Sequence, residues 1–245
     1  MMNGALVTGG TAGIGLASAR ALAATGRPVY VTGRDPAKLE AVEREPAGLR
    51  AIRADMAQIG DIEAVAGRLA ADKVTLETLV VNAGTAEITR FGAVSEADFD
   101  RTFDLNVRGV FFTVQTLLPH LVDGASVILV GSICSIKGMA DLSVYNASKA
   151  AVHALTRSWA NDLRGRRIRV NTVSPGPIRT PLVERLQGGS AESLASFERW
   201  AAEASPAGRI GEPEDVAEVV RFLAEPESRH INGVELFVDG GLAQI

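Results

Sequence analysis

Ala5-Leu6-Val7-Thr8-Gly9-Gly10-Thr11-Ala12-Gly13-Ile14-Gly15, running on into Leu16-Ala17-Ser18-Ala19-Arg20-Ala21-Leu22, is the stretch that decides the fold of this chain. A short apolar run enters a cluster of glycines and leaves it as an alanine- and leucine-rich helical pattern. Glycines at a strand-to-helix turn reach backbone angles closed to other residues. They also let a phosphate approach the helix N-terminus, where unpaired amides favour negative charge. The spacing is Gly-x-x-x-Gly-x-Gly rather than the general Gly-x-Gly-x-x-Gly. The strand before and the helix after are therefore what mark it as a dinucleotide-binding turn.

Outward from that turn the same rhythm repeats. Ala5–Thr8, Val29–Thr32, Leu49–Ala54, Thr78–Val81, Val127–Val130, Arg169–Val173 and Val234–Val238 read as strands, several of them apolar on both faces. Helical patterns lie between them at Gly15–Thr25, Ala37–Glu43, Ile62–Ala71, Glu96–Leu121, Val144–Leu163 and Glu214–Leu223. Such alternation predicts an α/β chain built of βαβ units, with about seven strands in one doubly wound parallel sheet and helices on both faces. No linker, repeat or low-complexity tract interrupts residues 1–245, which are expected to form a single domain. Residues 181–208 break the rhythm. They follow the carboxyl end of a strand, where ligands bind in such sheets, and are expected to form a mobile helical lid.

Composition narrows the function classes. The chain has 245 residues, 47% of them hydrophobic, enough for a sizeable core. Its net charge of −4 gives no electrostatic reason to bind nucleic acid or an acidic membrane. The one cysteine, Cys134, has no partner for an internal disulfide. Met1-Met2-Asn3-Gly4 leads straight into the first strand without a basic, apolar leader, and no apolar run reaches the ~20 residues that span a bilayer. A cytoplasmic protein without a membrane partner is the expectation.

Chemistry gathers around Tyr145-Asn146-Ala147-Ser148-Lys149. Four residues of separation put the Tyr145 phenol and the Lys149 ammonium on one helix face, a turn apart. A nearby ammonium favours phenolate, so Lys149 is expected to draw the Tyr145 pKa down toward neutrality and make it a general acid/base. Ser132, thirteen residues upstream, offers a hydroxyl for a substrate oxygen, with Ser135 as a competitor. His153, two turns on along the same helix and away from the pair, reads as structural, while His120 and His230 show no metal-ligand spacing with Cys134 or the acidic residues, and no metal is expected. Cys134 reads as a small buried hydrophobe at the pocket edge.

At this point the chain resembles the short-chain dehydrogenase/reductase family. Thr8–Gly15 looks like its Thr-Gly-x-x-x-Gly-x-Gly turn, and Asn82-Ala83-Gly84 like its Asn-Ala-Gly triplet, although Val81 stands where many members carry a further asparagine. Asn106 in Leu-Asn-Val-Arg-Gly, the set Ser132, Tyr145 and Lys149, and the loop Pro175-Gly176-Pro177-Ile178-Arg179-Thr180 are similar to its remaining motifs, as are Gly211–Ala217 and Val238–Gly241. The likeness runs through the whole chain and implies a Rossmann-type sheet. It also implies hydride transfer between a nicotinamide and a carbonyl or secondary alcohol, a small-molecule substrate. The family's interval selects Ser132 over Ser135.

In the roles the resemblance implies, Tyr145 gives or takes the proton, Ser132 steadies the substrate oxygen and Lys149 holds the nicotinamide ribose. Asn106 bends its helix and holds a water that connects Lys149 to solvent. Gly9, Thr11, Gly13, Ile14, Gly15, Asn82, Ala83, Gly84, Pro175, Gly176, Ile178 and Thr180 are implied cofactor contacts, with Asp55 and Met56 at the adenine edge. The position of the NAD-selecting carboxylate corresponds to Gly33, and Arg34 beside it has the fork that suits a 2′-phosphate. Asp35-Pro36 reads as a helix cap. NADP(H) is therefore favoured, with NAD(H) possible, although Ala12 stands where many NADP users have a basic residue. A homotetramer or homodimer is implied, and Val107, Val110, Phe111, Phe112, Val114, Leu117 and Leu118 supply apolar surplus for an interface. Ile245 is placed by the same likeness near a neighbour's substrate cleft. The alternatives are an NAD-dependent alcohol dehydrogenase, and a non-catalytic dinucleotide-sensing regulator on the same fold. Related enoyl reductases carry Tyr-x-x-Met-x-x-x-Lys, which this chain lacks.

Overall fold

Residues 2–245 are described by the computed structural model. The strands are β1 (Met2–Val7), β2 (Val29–Gly33), β3 (Arg50–Arg53), β4 (Val74–Val81), β5 (Leu121–Val130), β6 (Arg169–Pro175) and β7 (Glu235–Val238). They make one sheet in the order β3-β2-β1-β4-β5-β6-β7, and every neighbouring pair is parallel. All seven expected strands are present. β5 begins earlier than its β-branched run because the chain pairs Leu76 with Leu121, bulges through Asp123-Gly124, and re-enters the ladder with Thr78 opposite Ser126. Gly124 takes φ +83° at that bulge.

Helices α1 (Gly13–Ala23), α2 (Pro36–Glu43), α3 (Ile59–Ala71), α4 (Glu96–Phe103), α5 (Val110–Leu117), α6 (Ser143–Asp162), α7 (Pro181–Leu186), α8 (Ala191–Ala204) and α9 (Pro213–Ala224) complete the chain. Alternate strand residues point to opposite faces. On one face Leu6, Leu79 and Leu129 pack with Val65 of α3, Val114 of α5 and Val152 of α6. On the other Val7, Val80 and Ile128 pack with Leu22 of α1 and Val220 of α9. The inner strands are apolar on both sides because helices cover both sides.

Two expectations need correcting here. Glu96–Leu121 is not one helix: α4 passes through a π-helical turn, Asp104–Gly109, into α5, then a 3-10 turn at Leu118–His120, and Leu121 already belongs to β5. The wide turn falls where Asn106 is pulled onto the backbone of Thr85, and where Gly109 packs so closely that a Cβ would stand 2.3 Å from the Met56 carbonyl oxygen. In addition, Val110, Val114 and Leu117 fill the chain's own core rather than a surface, and only Val107, Phe111, Phe112 and Leu118 stay half-buried.

Candidate active site

Strand order reverses between β1 and β4, and the crevice at their carboxyl ends is where the motifs converge. Gly9 takes φ +63°, open to glycine, and a Cβ on Gly15 would lie 2.3 Å from the Gly9 carbonyl oxygen, so the turn admits no side chain at either place. α1 starts at Gly13 with no acidic residue in its first turn. The amides of Gly13, Ile14 and Gly15 therefore open the helix without intrahelical acceptors or a competing carboxylate. Asn82 buttresses the turn: its Nδ2 donates to the carbonyl oxygens of Thr8 (3.0 Å) and Gly9 (3.1 Å). The backbone amides of Asn82 and Ala83 both donate to Thr8 Oγ1.

A cavity of about 320 Å³ opens beside this turn. Ser132, Tyr145 and Lys149 line it, together with Ile14, Asn82, Gly84, Pro175, Gly176, Ile178 and Thr180. Thr180 also caps α7, accepting from the Val183 amide at 3.4 Å. Gly9, Thr11, Gly13, Gly15, Ala83, Arg34 and Asp55 stand at or beside the neighbouring strand ends, outside the cavity wall. Met56 has its side chain buried in the core, and Asp55 beside it carries the polar side chain at that edge.

The polar groups are held individually. Lys149 is buried and donates from Nζ to the Val130 carbonyl oxygen at 2.8 Å, with Nζ 5.7 Å from the centre of the Tyr145 ring. Ser132 caps the 3-10 turn Ile133–Ser135, its Oγ accepting from the Cys134 amide at 3.1 Å. Asn106 is fully buried. Its Oδ1 accepts from the Thr85 amide (2.8 Å), and its Nδ2 donates to the Thr85 carbonyl oxygen (2.8 Å) and to Ser148 Oγ (3.0 Å). Ser148 Oγ donates in turn to the Tyr145 carbonyl oxygen at 2.7 Å, so Asn106 grips the first turns of the helix that carries Tyr145 and Lys149. A Cβ on Gly84 would sit 3.3 Å from Asn106 Oδ1 and 3.5 Å from Lys149 Nζ, so glycine keeps the corner between these two groups uncrowded.

The expected direction of the Tyr145 shift is reversed. Burial, the largest influence, pushes the phenol above its ordinary value, Cys134 adds to the rise, and the hydrogen bond with Ser132 only partly opposes it. Burial also draws the Lys149 ammonium down to about 8. Spacing correctly put the two groups together, but both are desolvated, and Lys149 spends its hydrogen bond on Val130 rather than the phenol.

Other residues sort cleanly. Ser135 Oγ donates to Glu235 Oε1 at 2.6 Å, which removes it as a competitor of Ser132. His153 Nδ1 lies 2.7 Å from Glu235 Oε2, a structural contact away from the cavity. Cys134 is buried at the cavity edge, as expected. Of the apolar lid residues, Leu182, Val183, Leu186 and Phe197 line the cavity, while Leu194 does not. Among the described residues no cluster of His, Cys, Asp and Glu is arranged to hold a metal, and no helix is long and apolar enough to cross a membrane.

Sequence reasoning missed several participants. Ser148 sits inside the motif already singled out, and its i+3 spacing from Tyr145 was the available signal. Thr85 and Arg185 had none: Arg185 on α7 donates to Thr85 Oγ1 (3.1 Å) and the Ala86 carbonyl oxygen (3.3 Å), a contact between distant parts of the chain.

At Gly33 the backbone faces the glycine turn: a Cβ there would meet Thr11 Cγ2 at 2.6 Å. The exposed Arg34 lies one residue beyond, with Nη1 3.4 Å from Asp55 Oδ2. Asp35 Oδ1 accepts from the Ala37 amide at 2.9 Å, the N-cap expected of it.

Comparison with known proteins agrees with this geometry. The family model described as enoyl-(acyl carrier protein) reductase matches residues 9–243. The chain is 36% identical over 244 residues to oxidoreductase asL5 of Sarocladium schorii, covering 98% of this chain and 96% of the relative. It is 33% identical over 243 residues to the 3-oxoacyl-[acyl-carrier-protein] reductase FabG of Thermotoga maritima, covering 97% and 96%. The solved short-chain dehydrogenase/reductase of Serratia marcescens superposes with a TM-score of 0.90 at 32% identity, over 98% of each chain.

Proposed function

The chain belongs to the short-chain dehydrogenase/reductase family and is an oxidoreductase of it; from that membership we propose that it transfers hydride between NADP(H) and a carbonyl or secondary alcohol, with Tyr145 as acid/base. The observation that carries the proposal is the convergence of Ser132, Tyr145 and Lys149 on one cavity that borders the glycine turn.

The residues present fit a nicotinamide dinucleotide. The first amides of α1 suit the diphosphate, Lys149 reaches the cavity from its floor, and Gly84 leaves the corner beside Lys149 and Asn106 open. When bound, the dinucleotide supplies or accepts the hydride. In reduction Tyr145 donates its proton to the substrate oxygen, and burial holds it in the neutral, donating form. Ser132 Oγ, fixed by the Cys134 amide, hydrogen-bonds the same oxygen. Lys149 hydrogen-bonds ribose hydroxyls. Asn106 fixes the start of α6, and the π-turn at its own position frees backbone groups to hold a water beside Lys149.

NADP(H) is preferred because Thr11 occupies the space a strand-end carboxylate needs and Asp35 is engaged as a cap, while Arg34 stays exposed to meet a phosphate. An enoyl reductase reading is disfavoured by the four-residue interval from Tyr145 to Lys149. A non-catalytic sensor is disfavoured by the completeness of the set. The direct test is a screen of ketones, secondary alcohols and enoyl thioesters with both cofactors, read as change in reduced-nicotinamide absorbance. Turnover of a ketone or alcohol supports the proposal, and turnover of enoyl thioesters alone overturns it.

A further inference from the structure

We infer that the substrate of this site is a neutral, apolar ring ketone or its alcohol, carrying no carboxylate or phosphate. The inference rests on the oxidoreductase reading above and deepens it. Among the described residues that wall the cavity, Lys149 is the only charged side chain, and it is buried with its Nζ on the Val130 carbonyl. An anionic substrate would find no cation there apart from the one proposed to hold the ribose. A charged group moved into such surroundings without a partner loses hydration that nothing restores.

The lid strengthens the point, because it carries charge yet turns apolar groups inward. On α7, Leu182, Val183 and Leu186 line the cavity, while the exposed Arg185 between them does not, its guanidinium being committed to the Thr85 hydroxyl and the Ala86 carbonyl at the edge of the wall. On α8, Phe197 and Trp200 line it as a tilted ring pair with centroids 5.3 Å apart, while Glu198 between them pairs with Arg179. Trp200 and Ile88 reach the cavity yet remain 40% and 52% exposed, an apolar rim at its mouth. Aromatic side chains in the wall offer a ring substrate an edge or face to pack against.

The test uses the full chain saturated with NADPH and a matched pair: a bicyclic aryl ketone and the same skeleton bearing a carboxylate. Binding is read by titration calorimetry and turnover by NADPH consumption. The neutral ketone is expected to bind at least thirtyfold more tightly, and Trp200→Ala to weaken it about tenfold while moving the carboxylate less than twofold. Ile88→Lys, at the exposed rim, is expected to narrow the gap at least fivefold by giving the carboxylate a partner. Equal or tighter binding of the carboxylate by the parent protein overturns the inference. Loss of that binding in Arg185→Ala would assign the site to anions instead. Tight binding of the neutral ketone with no turnover would count against the oxidoreductase role of the site and leave the substrate class standing. Equal turnover of both compounds would do the reverse.

Discussion

Lys149 Nζ donates to the carbonyl oxygen of Val130 across 2.8 Å, and this bond fixes the ammonium in the floor of the cavity, a turn away from Tyr145. Its burial has a consequence for stability. The folded chain releases the Lys149 proton near pH 8, whereas the unfolded chain keeps it to the ordinary lysine value. Between those limits the unfolded state binds more protons, so stability rises with pH; below about 8 both states are protonated and the burial penalty is fully felt. Urea unfolding from about pH 8 to about pH 10 is expected to show this rise in the parent protein and its loss in Lys149→Met. The raised Cys134 and Tyr145 values act oppositely from their ordinary ranges upward, so the Lys149 contribution is read as the difference in slope between parent and mutant. A mutant with the same slope as the parent would exclude Lys149 as its source.

Cofactor choice is expected to follow Gly33, Arg34 and Thr11. Arg34→Ser alone should lower kcat/KM for NADPH about tenfold or more with little change for NADH, since it removes a phosphate partner. Gly33→Asp needs room that Thr11 Cγ2 occupies, so the carboxylate should favour NADH fully only when Thr11→Ser is combined with it. The ratio of kcat/KM for the two cofactors reads the outcome, and a parent that already prefers NADH contradicts the assignment.

Glu235 joins β7 to the turn that carries Ser132. Its Oε1 accepts from Ser135 Oγ (2.6 Å) and Ser174 Oγ (2.5 Å), and its Oε2 lies 2.7 Å from His153 Nδ1. Glu235→Ala should cost roughly 1–3 kcal/mol in unfolding free energy, since it leaves the Ser135 and Ser174 hydroxyls without their acceptor. Denaturant midpoints measure this, and Glu235→Gln, which keeps one acceptor, should recover part of the loss. A destabilisation of the alanine variant within about 0.5 kcal/mol, as at ordinary surface positions, would mean the network carries little.

The expected assembly has fewer residues to rest on than the apolar composition of Glu96–Leu121 suggests, because Val110, Val114 and Leu117 lie in the core. Phe111 and Phe112 remain half-buried on α5, with Phe111 5.7 Å from Trp159 on α6, a patch shared by the helices that flank the site. Light scattering after size exclusion at low micromolar concentration is expected to show a dimer or tetramer, and Phe111→Glu a smaller species. A parent protein running at the mass of one chain would refute the interface.

What the sequence made legible divides along physical lines. Val29–Thr32 and Arg169–Val173 were readable as strands without tertiary context because these β-branched runs are buried on both faces. The bulge through Asp123-Gly124 was not, since those residues look like a strand end until Leu121 is seen paired with Leu76. The π-turn at Asn106 hid inside a continuous apolar pattern, because one extra residue in a turn leaves composition unchanged. Spacing put Tyr145 and Lys149 side by side, and the family's interval chose Ser132 over Ser135, but the sign of the Tyr145 shift was not readable. Spacing reports a neighbour one turn away, while desolvation depends on everything else packed around the phenol. Links such as Arg185 to Thr85 join residues far apart in the chain and exist only after folding.

The most direct measurement of the central claim is a comparison of Tyr145→Phe with the parent protein, taking NADPH affinity by calorimetry and kcat on a ketone that the parent reduces. Only the transferable proton is removed, so kcat is expected to fall by at least about a thousandfold while the NADPH dissociation constant stays within about twofold. Lys149→Ala, examined alongside, should lower kcat and weaken NADPH together. Parent-like kcat in Tyr145→Phe would contradict the assignment of Tyr145 as the acid/base.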